Sequence, residues 1–135
     1  NGSVQIVADK KDQRVHNTPH FAKGKMQLDG VAMESDYYFA KKGKKLVMVD
    51  LAPEDDTQCA KVEAAFVSRF GEGKVERNSY KLRPDRPPLD NTHRMAIDAK
   101  TGDKVSYSAF SAEGMGYLYC KILFRSAAYP IAKDW

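Results

Sequence analysis

Apolar residues recur in this chain with two different spacings, and the change from one to the other marks its elements. Val4 to Ala8 is a short apolar run with strand character. From Asp9 to Lys25 the chain is polar, with Asn17-Thr18-Pro19 as a turn signal, and it reads as a long loop. Met26, Leu28 and Val31 suggest a second short strand interrupted at Asp29-Gly30. Tyr37-Tyr38-Phe39 and Leu46-Val47-Met48-Val49 flank a glycine-containing lysine turn, the pattern of a β-hairpin. The second arm is apolar almost throughout, as expected of a strand covered on both sides.

The spacing then becomes helical. Pro53 to Thr57 opens the segment, and Asp55, Asp56 or Thr57 can cap it, with the acids at the positive end of the helix dipole. Cys59, Val62, Phe66 and Phe70 fall on one face, and Gly71 supplies a stop. Beyond it, Val75 to Leu82 gives a weaker strand pattern. Arg83-Pro84-Asp85-Arg86-Pro87-Pro88 can be neither a helix interior nor a central strand, so it is a stiff loop. A second hairpin follows: Met95, Ile97 and Ala99 alternate inward, Thr101-Gly102-Asp103 turns, and Val105, Tyr107 and Ala109 alternate back. Ser111 to Gly116 forms a turn, and Tyr117 to Phe124 is the last strong strand. Ser126 to Trp135 shows no period.

Successive hairpins around one helical segment predict an α+β fold. A single amphipathic helix packs on a mainly antiparallel sheet of about five to seven strands. No repeat or low-complexity linker divides the chain, so residues 1–135 read as a single domain.

Cys59 lies on the apolar face of the helix. Cys120 alternates in phase with Leu118, Ile122 and Phe124. Two cysteines on surfaces that both seek the core are placed to meet, and a bond between them would tie helix to sheet. Closing a loop of 61 residues would restrict the unfolded chain by about 4 kcal/mol in the entropic account. A disulfide favours a periplasmic or secreted address. Two reduced core thiols are the rival reading. The chain opens at Asn1 without an initiator methionine or a charged-then-apolar leader, which fits either a removed signal peptide or a trimmed chain.

Composition changes this picture little. The chain is 42% hydrophobic and 30% charged, within the range of globular domains. No apolar run reaches transmembrane length. The net charge of +4 comes from 22 basic and 18 acidic residues, and the densest cluster, Lys41 to Lys45, sits in a hairpin turn. Charge spread in this way does not point to a nucleic-acid partner.

Catalytic constellations are incomplete. His16 and His20 have the four-residue spacing of helical metal pairs, but Pro19 intervenes, and His93 could join only through an unforeseen fold contact. Asp55 and Asp56 are explained by capping. Ser108 or Ser111 with His93 and Asp98 is a triple that chance alone supplies, and no G-x-S-x-G accompanies it. No cofactor motif is complete, and no family resemblance emerges.

Two surfaces remain. Tyr117 and Tyr119, with Tyr107, are expected to line the sheet face turned away from the helix, where tyrosine offers rigid area with a polar tip. The loop with Tyr80, Arg83, Arg86 and Pro87 is stiff and carries two arginines, a combination suited to an interface hot spot. The leading expectation is therefore an exported, non-enzymatic protein that binds another protein, of inhibitor or immunity type. The alternative is a carrier for a small ligand or polyanion in a helix–sheet pocket, favoured by a continuous apolar cavity and excluded by a fully packed seam. A weak hydrolase or metal-binding protein is a minor alternative. The sequence sets no oligomeric state.

Overall fold

The computed structural model describes residues 4–7, 20–40 and 45–127. A short strand β1 (Val4–Val7) precedes β2 (His20–Leu28), β3 (Val31–Phe39) and β4 (Leu46–Pro53). A single 3-10 turn (Asp56–Gln58) leads into the helix α1 (Cys59–Phe70). Four strands follow: β5 (Lys74–Tyr80), β6 (Leu89–Ile97), β7 (Lys104–Ala112) and β8 (Gly116–Arg125). They form one sheet in the order β1-β2-β3-β4-β8-β7-β6-β5, antiparallel at every pairing. The α+β architecture is as the pattern predicts. Seven strands carry the sheet, and the four-residue β1 extends one edge.

The helix forms where its spacing places it. Asp55 accepts a hydrogen bond from the Thr57 N–H at 2.9 Å, and Gly71 ends the helix by donating its N–H to the Val67 carbonyl at 2.8 Å. Cys59, Val62, Ala65 and Phe66 are buried against the sheet. The Cys59–Cys120 disulfide is present, with the two Cα atoms 5.9 Å apart, and both cysteines are fully buried. Met33, Leu51, Val105, Tyr107 and Ile122 complete this core.

Three strand expectations are corrected. The loop read from Asp9 to Lys25 gives way to strand at His20; its earlier part, with His16, lies outside the described residues. Lys23 and Lys25 point outward while Ala22, Met26 and Leu28 point to the core, so the lysines hid an ordinary alternation. Asp29-Gly30 is not an interruption. With φ of 49° and 83° it makes the two-residue turn between β2 and β3, the left-handed geometry that an Asp-Gly pair supplies.

The third correction concerns β6. Ala96 and Arg94, not Met95 and Ile97, face the helix, because Ala96 pairs with Val105 and Arg94 with Tyr107. Ile97 is left largely exposed, and Ala99 falls in the turn from Asp98 to Asp103. On the sheet face away from the helix, Tyr38, Met48 and Leu123 are buried in a second, smaller cluster. The lysine turn at 41–44 and the tail from 128 lie outside the described residues.

Candidate functional site

A bulge in β8 decides where the tyrosines go. Phe110 pairs with Tyr119 and Ser111 with Tyr117, so Leu118 is the extra residue. The strand therefore changes phase. Tyr117 turns to the helix side, where its hydroxyl donates to the Glu63 carboxylate at 3.3 Å. Leu118 leaves the phase of Cys120 and turns to the opposite face with Tyr119. Tyr107 is fully buried beneath the helix, its hydroxyl 3.5 Å from the Cys59 carbonyl. Of the three tyrosines expected on the outer face, only Tyr119 is there, 39% exposed and 6.4 Å from the Phe110 ring.

On the same face Leu118, next to Tyr119 in the chain, meets the proline–arginine loop. Arg83 to Arg86 is a turn with Pro84 at its second position, closed by the Arg86 N–H on the Arg83 carbonyl at 3.3 Å. Proline fixes the backbone there, so both arginines are carried at the ends of a stiff bend. Below them lies a groove of about 380 Å³ floored by Leu82, Leu89, Met115 and Leu118, with Arg83, Arg86 and Pro87 at its side. Leu82 is 77% exposed and Met115 63%. Tyr80, also exposed, stands cross-strand from Leu89 at the groove's edge. The structure thus brings Tyr80, Arg83, Arg86 and Pro87 to one place, with Tyr119 on the same sheet face. Sequence reasoning missed the apolar floor. Leu118 needed the bulge to be known, and Met115 is flanked by turn glycines that masked it.

The helix side holds a second feature. The helix lies over β7 and β8, where the disulfide anchors it, and leaves part of β2, β3 and β4 uncovered. A cleft of about 330 Å³ opens there. Met26, Val49, Phe66 and Phe70 line it, with Tyr37 and Arg69 as its polar groups. Arg69 is held in place by Asp29 at 2.7 Å.

A partly buried polar cluster closes the other flank of the helix. Glu63 accepts from the Arg94 Nε at 2.9 Å as well as from Tyr117. Burial first, and then the Glu63 carboxylate, push the phenols of Tyr107 and Tyr117 above the usual tyrosine range. On the outer face, burial is the largest influence on Lys121 and opposes its charge, but the Asp50 carboxylate at 3.5 Å and the neighbouring Tyr119 hydroxyl together outweigh it and hold the amine's pKa above its ordinary value. All three groups favour the protonated form in the folded state. Their contribution is complete below about pH 10, the ordinary value for tyrosine and close to that for lysine, and is lost as pH rises through the raised values. The thermal midpoint should accordingly fall as pH rises above about 10, and Tyr107→Phe should flatten part of that fall, as circular dichroism melts would record.

The serine–histidine triple is only partly assembled. His93 Nδ1 and Ser108 Oγ are 2.8 Å apart across β6 and β7. Asp98 instead accepts from the Lys100 and Thr101 N–H groups in its turn, and Ser111 lies beyond the phase change. Among the described residues no three His, Cys, Asp or Glu side chains gather in a way that could hold a metal. No described helix is long and apolar enough to cross a membrane. No protein-family model matches the chain, and neither a curated protein nor a solved structure matches it.

Proposed function

We propose that this chain is an exported, non-enzymatic binding protein, of inhibitor or immunity type, that takes a partner protein at the groove beside Arg83 and Arg86. The observation that carries this reading is the clustering of exposed apolar side chains. Leu82, Met115 and Leu118 lie together on one floor, where single exposed residues would be scattered. Two arginines on a pre-set bend add directional donors at small ordering cost, which favours a partner segment with apolar residues next to Asp or Glu. The disulfide supports the oxidising address, periplasmic or secreted.

The test compares surfaces within one protein. Proteins captured from the source's extracytoplasmic fraction by the native chain are quantified against Arg83→Ala/Arg86→Ala and Leu82→Ser variants. An Ile97→Ser variant serves as control, since Ile97 is also largely exposed but lies outside the groove. A partner lost at least tenfold with the groove variants and retained with Ile97→Ser is the expected result. Equal capture by all four proteins removes the groove from the account.

A further inference from the structure

We infer that the cleft between α1 and strands β2–β4 binds a small apolar carboxylic acid, its hydrocarbon body lying against Met26, Val49 and Phe70 and its carboxylate on Arg69. The inference is separate from the partner-binding groove, which lies on the other face of the sheet.

Protein interiors leave few voids larger than a water molecule. A cleft of about 330 Å³ is far above that scale and falls at the lower end of small-molecule sites, about 300–1,000 Å³. It is too small for a folded partner. Its walls are a helix fixed by the disulfide and strands fixed by register, so the space is preformed. Met26, Val49, Phe70 and Phe124 pack against the core but keep part of their surface accessible, which leaves the cleft open to solvent.

Polarity sets the ligand class. The lining is apolar except for Arg69 and the Tyr37 phenol. Asp29 Oδ1 engages the Arg69 Nη2 at 2.7 Å, which holds the side chain at the rim through one of its guanidinium nitrogens. A guanidinium so placed favours a planar anion, and carboxylate matches its fork. A second observation lies on the same face of the sheet. The Ser35 hydroxyl, cross-strand from the cleft-lining Leu51, is fully buried without a hydrogen-bond partner. Folded proteins seldom leave such a group unsatisfied.

Decanoate and decanol, below their aggregation concentrations, are titrated calorimetrically into the intact protein. One saturable site for decanoate is expected, with decanol weaker by about tenfold, the scale of a charge-assisted hydrogen bond. Arg69→Gln should weaken decanoate by the same factor and leave decanol unchanged. Val49→Trp, which fills the cleft, should abolish both. Because that variant could fail to fold, the partly exposed Arg69 substitution carries the decision. Absence of saturable binding, equal affinity for acid and alcohol, or an Arg69→Gln protein that binds decanoate as tightly as the native chain would each overturn the inference. Partner capture by the Arg83/Arg86 groove is read independently, so either conclusion can fail without the other.

Discussion

Reduction of the Cys59–Cys120 bond is expected to cost about 2–5 kcal/mol of stability, measured as the shift in urea unfolding with and without reductant. The bond closes 61 residues, for which the chain-entropy account gives about 4 kcal/mol. Its position should let most of that value appear. Cys59 opens α1 and Cys120 lies mid-strand in β8, both fully buried, so each sulfur is fixed by its own element. Reduction leaves both sulfurs in the core and so isolates the tether. Cys59→Ala/Cys120→Ala adds the loss of two buried thiols and should fall further. A shift under about 1 kcal/mol on reduction would mean that helix packing alone holds the layers, or that the reduced unfolded chain keeps residual structure.

Phe66→Ala should be comparably severe, about 3–5 kcal/mol. Phe66 is fully buried midway along the helix. Its ring lies 5.3 Å from Phe70 and 6.2 Å from Tyr107, while Phe70 reaches Phe124 at 5.9 Å. These rings join helix to β7 and β8 through one continuous aromatic seam. Phe66 also lines the cleft, so truncation would enlarge an existing space that the helix, pinned at Cys59, can collapse only in part. Leu82→Ala provides the contrast. Its side chain is mostly in solvent, and a surface change of that kind stays within about 0.5 kcal/mol. Chemical denaturation of the two variants side by side would check both values.

Helix, disulfide, the β3–β4 hairpin and most of the C-terminal strands were legible because each is written in local periodicity, whereas the β2–β3 hairpin was hidden by the lysines of β2. Cys59, Val62 and Phe66 share a face at helical spacing, and Cys120 with Ile122 and Phe124 share one at strand spacing. Pairing partners escaped where a strand's phase was set from outside. Residues Leu89 to Ile97 contain apolar side chains in both phases, and only the register with β7 turned Arg94 and Ala96 inward. The bulge at Leu118 is likewise invisible in sequence, since a one-residue offset needs the neighbouring strand to define it. For the candidate site, Tyr80, Arg83, Arg86 and Pro87 were visible through residue type and backbone stiffness. Tyr107 and Tyr117 were misplaced because tyrosine serves equally as buried core and as exposed surface, and here Glu63 and the Cys59 carbonyl receive their hydroxyls.

The strand order carries a mechanical consequence. The sheet consists of two four-stranded meanders, β1–β4 and β5–β8, each assembled from sequence neighbours. Among the described residues strand pairing joins them along residues 48–51 of β4 and 122–125 of β8, extended by the Ser126 N–H on the Val47 carbonyl, with the Arg69–Asp29 pair and the core under the helix as further links. The covalent tether lies wholly within the second meander and its helix, so it does nothing to bar separation along that short zipper. Under tension or partial denaturation the molecule should part there first, releasing an N-terminal ribbon from a stapled C-terminal block.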